Sequence, residues 1–269
     1  MTDRPLDSPA LYVNRELSFL EFNRRVIAQA GDRSVPLLER LRFLAISCSN
    51  LDEFFEIRVA GLMQRRELGS LAGGPDGMDV ESQLAAIREE SLRMIAAQYA
   101  LLNGELRTEL QSEGIRVLRA ADWTPAHAAW LGNYFDVEVE PVLAPLGLDP
   151  ARPFPRIQNK SLNFIVELSG SDAFGRDAAL AILQVPRSLP RILRLPGDDP
   201  ARVELTYLSQ VVQHYIGRLF DGVQVISCHQ FRVTRNAELW VDDEETEDLL
   251  RAVEGELASR RYGDAVRLE

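Results

Sequence analysis

The longest uninterrupted helical signal in the chain runs from Asp79 to about Ser112. Leu84, Ile87, Ile95, Leu102, Leu106 and Leu110 recur there at the three-to-four-residue spacing that gathers side chains on one face of an α-helix. Asp79 stands where an N-cap is wanted, and Gly114 supplies the stop. A helix of that length with one apolar stripe needs other helices to cover it, and the residues before it supply three. Ser18 reads as the N-cap of the first, with Glu21 completing a capping box and Leu17 with Phe22 forming a hydrophobic staple. Phe19, Phe22, Val26 and Ala30 form its stripe, and Gly31 ends it. Ser34, with Pro36 in the first turn, opens a second helix that carries Leu37, Leu41, Leu44 and Cys48 on one face. Ser49 or Asn50 caps a third. Its first turn holds Asp52 and Glu53, favourable to the helix dipole, and its stripe is Leu51, Phe54, Phe55, Val59 and Leu62. Gly69 to Gly77 is a loop by composition. Residues 1–112 therefore read as an antiparallel helical bundle domain.

Beyond residue 112 the pattern changes. Thr124-Pro125 starts a short helix to about Phe135, and Pro141 and Pro145 interrupt the next stretch. Leu162–Leu168 and Ala179–Val185 read as strands, Leu205–Phe220 as a helix, and Val223–Arg235 as a strand pair or one bent strand. Glu244–Leu257 reads as an amphipathic helix, and Ala265–Leu268 as the start of a further strand. This mixture makes 113–269 an α+β domain, and ending inside a strand signal suggests an incomplete one. The fold class expected is α followed by α+β.

Composition removes several functions. Net charge is −11, against broad binding of nucleic acid. No apolar run approaches the ~18 residues of a membrane span, and the first residues lack the apolar core of a secretory signal. Two distant cysteines, Cys48 and Cys228, fit a reducing cytoplasm better than a disulfide framework. Lys160-Ser161 is the only Lys-Ser pair and follows Asn159, so a P-loop is excluded, and no dinucleotide-binding glycine fingerprint exists. The histidines are scattered: His127 reads as solvated, His214 as a packed or surface residue, and His229 beside Cys228 on a strand points to the opposite face. Asp52-Glu53 are explained by the helix start rather than acid–base work.

Two features remain. Asn50 offers an amide, two donors and an acceptor, suited to a purine edge, with a plain N-cap as the ordinary reading from spacing alone. Leu11–Arg66 holds nine arginines against seven carboxylates, among them Arg15, Arg24, Arg25, Arg40, Arg42 and Arg58. Arg24 and Arg58 are candidates to face a phosphate, with solvated or salt-bridged surface arginines as the ordinary alternative.

These residues carry a resemblance. Tyr12-Val13-Asn14-Arg15-Glu16-Leu17-Ser18-Phe19-Leu20-Glu21-Phe22-Asn23-Arg24-Arg25-Val26, then Pro36–Ile46, then Ser49-Asn50-Leu51-Asp52-Glu53-Phe54-Phe55-Glu56-Ile57-Arg58 is similar to the N-terminus of bacterial polyphosphate kinase of the first, histidine-phosphorylating type. Arg152-Pro153-Phe154-Pro155 through Asn163 resembles the family's His-Pro-Phe-Pro segment, with Arg152 in place of the usual His. Phe231–Leu239 and Arg261–Glu269 also resemble the family.

The resemblance implies an enzyme of four domains: an N-terminal helical domain, a head domain and two C-terminal domains of phospholipase-D-like fold. It implies reversible transfer of the ATP terminal phosphate to inorganic polyphosphate through a phosphohistidine, with ATP or ADP as partner and Mg2+ held by the C-terminal half. The catalytic histidine lies in that half, so no catalytic residue is expected here and this portion alone is expected to be inactive. By motif match Asn50 contacts ATP at its adenine end, and the head domain pairs subunits. The alternative is a helical and α+β interaction or dimerisation module without chemistry.

Overall fold

The computed structural model describes residues 5–69, 73–148, 153–169, 180–197, 199, 201–237 and 263–269. They form two compact units, one of residues up to Glu109 with Thr234–Arg267, the other Leu110–Val233 with Leu268–Glu269.

The helical unit opens with α1 (Arg15–Gly31). It starts a turn before Ser18, because the Asn14 side chain accepts from the backbone N–H groups of both Glu16 and Leu17 and is the N-cap. Ser18 then lies inside the helix, its N–H bonded to the Asn14 carbonyl at 2.9 Å. The buried face is also turned from the one expected. Leu20, Asn23, Ile27 and Ala30 point inward, while Phe19 and Phe22 are exposed.

Helix α2 (Leu37–Glu53) begins directly after Pro36, without a side-chain cap from Ser34. Leu37, Leu41 and Leu44 pack together as the spacing suggests, but Cys48 is exposed, and the buried line is Arg40, Leu44, Ser47 and Leu51. No break occurs at Ser49 or Asn50. The helix passes through a π-helical stretch, Phe54–Val59, into α3 (Ala60–Glu67). The expected stripe of Leu51, Phe54, Val59 and Leu62 is buried, with Phe55 packed against it. The cap alone differs from expectation. Asp52 and Glu53 are mid-helix, and Asp52 lies 3.6 Å from the Arg267 guanidinium. The Ala237 N–H donates to the Glu56 carbonyl inside the π-helical stretch at 3.0 Å, binding the returning chain to this unit.

Asp79 caps α4 (Val80–Leu101), accepting from the Ser82 N–H at 2.7 Å. A second π-helical stretch, Leu102–Leu106, joins α4 to α5 (Arg107–Ser112), so the helix reaches the expected end. Gly114 comes next at φ +79, a conformation that a side chain disfavours.

Arg40 is 2% exposed. Its Nε donates to the Ala30 carbonyl at 2.9 Å, Nη1 donates to Glu109 at 2.6 Å, and Nη2 lies 3.0 Å from Glu105. Glu105 also takes the Arg33 Nε at 2.6 Å, and that bond holds its carboxyl below its ordinary value. One guanidinium thus closes the end of α1 and ties α2 to the α4–α5 helix.

Among its described residues the second unit forms two sheets. β1 (Ile115–Leu118) runs parallel to β6 (Val203–Tyr207), which pairs antiparallel with β5 (Ile192–Arg194). The other sheet is antiparallel, in the order β2 (Pro145–Gly147), β4 (Leu180–Val185), β3 (Leu162–Ser169), β7 (Gln224–Phe231). Helices α6 (Pro125–Tyr134) and α7 (Leu208–Tyr215) cover one face through Leu131, Val211 and Val212, which pack with Phe164, Val166 and Leu183. The other face carries Ile157, Ile182 and Val233. Thr124 caps α6 as expected.

Leu205–Tyr207, read as the start of a helix, instead forms the end of β6, because Thr206 donates to the Leu118 carbonyl at 3.0 Å across the sheet. His127 is not solvated. It is buried, accepts from the Thr124 N–H, and places Nε2 3.4 Å from Glu204. The expected strands at 162–168 and 223–235 are present, the latter as β7 and β8 (Val233–Arg235), which pairs with β9 (Ala265–Leu268). The helix expected over 244–257 and the Arg152 position lie outside the described residues.

Replacing Arg40 by Met removes the partner of two carboxylates and a buried carbonyl. It is expected to lower stability by about 3 kcal/mol in urea unfolding, with Arg40→Lys between Met and the native residue. The Asp79 carboxyl is held below its ordinary value chiefly by the Ser82 backbone N–H. A lowered carboxylate stabilises above its unfolded value and loses that contribution as pH falls through the folded one. Asp79→Ala is therefore expected to unfold at lower temperature than the native chain near neutral pH, and the difference is expected to vanish below the carboxylate range.

Candidate functional site

The site is the face shared by α1 and α2, which run antiparallel. Asn23 meets Asn50, the Asn50 Nδ2 donating to Asn23 Oδ1 at 3.0 Å. One turn away the Phe19 ring stacks on Phe54, centroids 5.3 Å apart and planes 4° from parallel. A further turn brings Arg15 and Arg58 to the walls of an open depression of ≈ 270 Å³, together with Phe19, Phe22 and Phe54. The face thus grades from amide to aromatic to cationic along one line.

Each part has a local cause. Asn23 falls in the apolar phase of α1, between Leu20 and Ile27, and is fully buried. Its Nδ2 donates to the Ser47 carbonyl at 2.9 Å and lies 3.1 Å from Met94 Sδ. Ser47 Oγ donates to the Leu44 carbonyl and accepts from the Gln98 Nε2 at 2.9 Å. A polar seam therefore crosses the apolar interior from α4 to α2 to α1 and ends at Asn50, which is half-buried. Among the described residues nothing occupies the Asn50 Oδ1. This overturns the capping reading of Asn50: the residue sits in mid-helix and uses its amide on a neighbouring helix.

The arginines separate into three groups. Arg24 pairs with Glu21 and Glu90, Arg42 with Glu39, and Arg40 is the buried tie. Arg24 is therefore neutralised by carboxylates. Arg25 lies over the Phe22 ring, 5.6 Å from its centroid. Arg15 and Arg58 are exposed and, among the described residues, make no ion pair, although Glu16 lines the same depression. Phe19 is 36% and Phe22 47% exposed, leaving aromatic surface beside these two cations.

Elsewhere the chemistry is sparse. Among the described residues no three His, Cys, Asp or Glu side chains gather to hold a metal, and no helix is long and apolar enough to cross a membrane. Lys160-Ser161 forms the turn into β3, with Lys160 at φ 53, and precedes no helix. His214 is exposed on α7, edge-on to Trp123 and Tyr215. Neither Cys48 nor Cys228 is in a disulfide, and burial pushes the Cys228 thiol up to about 11, away from reactive thiolate.

The model of the polyphosphate kinase N-terminal domain matches residues 12–118, and that of the polyphosphate kinase middle domain matches residues 126–269. The chain belongs to the polyphosphate kinase family. It is 51% identical over 98% of its length to a polyphosphate kinase of Pseudomonas putida and equally to one of Pseudomonas aeruginosa, and 49% identical over 95% to one of Neisseria meningitidis. It spans only 36 to 38% of the length of these relatives. Its fold is similar to the crystal structure of polyphosphate kinase from Porphyromonas gingivalis, with a TM-score of 0.71 at 27% identity, covering 93% of this chain and 38% of that one. The helical and α+β units are thus those that this family carries in its N-terminal and middle domains.

Sequence reasoning named Asn50, with Arg24 and Arg58 as candidates to face a phosphate; the structure pairs Arg24 with carboxylates, sets Arg15 beside Arg58, and adds Asn23, Ser47 and Gln98, which the sequence reading passed over. The available signal was an asparagine at a position where the helical period demands an apolar residue. Asn50→Ala strips the buried Asn23 Oδ1 of its partner, a loss that better helix propensity offsets only in part, and is expected to lower stability by about 1–2 kcal/mol in chemical denaturation.

Proposed function

We propose that this chain is the N-terminal portion of a polyphosphate kinase that moves the ATP terminal phosphate reversibly onto polyphosphate through a phosphohistidine, and that Asn50 contacts the adenine end of ATP. The observation that carries this is the amide oxygen of the half-buried Asn50, which takes no hydrogen bond among the described residues and lies on the same pair of helices as the aromatic and cationic depression. An asparagine side chain matches the donor and acceptor edge of adenine, and exposed aromatic rings offer a surface on which a base stacks. Arg15 and Arg58 supply positive charge at the other end, where an anionic ligand gains from cations that no carboxylate has neutralised.

The phosphoryl chemistry belongs outside this chain. The described residues hold no cradle for the phosphates, and we place the catalytic histidine and the Mg2+ ligands in the remainder of the enzyme, with this portion inactive alone. The ion would neutralise charge developing on the transferred phosphoryl group. Self-association belongs to the α+β unit on this reading, and among the described residues its sheet has β7 at one edge, with Ile226 58% exposed. The placement in the cytoplasm rests on two cysteines that share no disulfide.

The test is the full-length kinase of which we read this chain as the N-terminal part. Asn50→Ala is expected to raise KM for ATP about tenfold, the worth of one well-placed hydrogen bond, in an enzyme that stays folded at the assay temperature. An unchanged KM would overturn the assignment.

A further inference from the structure

We propose that Asn23 is a positioning residue: it fixes which end of the Asn50 amide faces outward, and thereby makes the site prefer a 6-amino over a 6-oxo purine. The proposal rests on the reading that Asn50 meets the base.

The argument is one of hydrogen-bond polarity. A backbone carbonyl only accepts, so the Ser47 carbonyl, 2.9 Å away, requires the NH2 end of Asn23. The Asn23 amide is fully buried and has no water to satisfy a reversed orientation. Its Oδ1 is thereby turned to Asn50, and an oxygen in that position only accepts. Asn50 must answer with Nδ2, at 3.0 Å. Reversing the Asn50 amide would set two carbonyl oxygens against each other at that distance. The outward group is consequently Oδ1, an acceptor without a partner among the described residues.

Ser47 is itself held, with Oγ bonded to the Leu44 carbonyl at 2.7 Å and to Gln98, so the reference carbonyl does not drift. An outward-facing acceptor selects a donor on the ligand. Adenine presents an exocyclic amine at C6, whereas a 6-oxo purine presents an oxygen there. Without Asn23 the Asn50 amide turns freely and accommodates either.

Two substitutions separate positioning from general support of the fold. Asn23→Asp keeps the shape: at this fully buried position it stays the neutral acid, whose O–H donates to the Ser47 carbonyl while its other oxygen accepts from Asn50, so the orientation survives. Asn23→Ala removes the acceptor and releases it. The measurement is the ratio of kcat/KM for ATP to that for inosine triphosphate in the full-length kinase. Being a ratio, it does not depend on how much of each preparation is folded.

The native enzyme is expected to favour ATP about tenfold, and Asn23→Asp to retain that preference. Asn23→Ala and Asn50→Ala are each expected to lose most of it, with no further loss in the double variant, because Asn23 acts through Asn50. A native enzyme without preference, or a preference that Asn23→Ala leaves intact while Asn50→Ala abolishes it, overturns the positioning role. So does equal behaviour of Asn23→Ala and Asn23→Asp. If Asn50→Ala changes neither KM nor the ratio, the adenine assignment fails and the positioning role with it.

Discussion

A fully buried amide must find every partner inside the protein, and in the helical unit that demand falls on Asn23. Two helices answer it: α2 through the Ser47 carbonyl and the Asn50 side chain, and α4 through Met94. Leaving such a group unsatisfied costs about 1–3 kcal/mol, comparable to a large apolar side chain lost from the core. The amide therefore fixes the rotation of α1 about its own axis. With Asn23 turned inward, Leu20 and Ile27 share its face, and Phe19 and Phe22 have to lie toward solvent. The exposed aromatic surface at the candidate site is a direct outcome of the polar contact beneath it.

The two ends of the helical unit are secured differently. Near Asn23 the bonds are between neutral groups and set orientation. Near Arg40 a single charge with several carboxylate and carbonyl partners fastens the end of α1 to α2 and to the α4–α5 helix. Loss of one Arg40 partner leaves others in place, whereas each partner of Asn23 specifies a direction. The α+β unit relies instead on apolar packing of α6 and α7 over an antiparallel sheet, while the buried Thr206 joins neighbouring strands of the other sheet. The unit that carries the candidate ligand face is thus the one whose interior is organised by direction-dependent bonds.

Much of this is legible in the residues. The long helix from Asp79, its cap, the Thr124 cap, the strands at 162–168 and 223–235, and the stripe through Leu51, Phe54, Val59 and Leu62 all arise from spacing and end signals. The failures at the helix ends share one cause. Ser and Asn residues read as helix ends because their side chains compete for nearby backbone groups. Asn50 instead spends its amide on Asn23, and Ser47 meets Gln98, so neither interrupts the helix. Ser18 resembles a cap because its hydroxyl and Glu21 fit a known pattern, but Asn14, with two backbone donors at its Oδ1, has already started the helix. Leu205–Tyr207 reads as helix by its apolar content, while cross-sheet pairing decides its form. For the site, Asn50 is visible through the family's motif. The residue beneath it is hidden, since a count of apolar periodicity treats every asparagine as surface.

The π-helical stretch at Phe54–Val59 sits between Asn50 and the C-terminal part of the same continuous helix. A π-turn contains one residue more than an α-turn, and one residue is worth about 100° of rotation. The stretch therefore acts as a phase shifter. The helix on its N-terminal side, Asn50 included, is keyed to α1. The helix on its C-terminal side is keyed to Leu62 in the core, and the outward Arg58 sits near the C-terminal end of the stretch itself. A single-residue deletion between Phe54 and Arg58 would restore a regular helix and leave Asn50 against Asn23, yet swing Arg58 away from the aromatic face. The amide and cationic ends of the site are thus indexed separately, and the extra residue is what brings them onto one line.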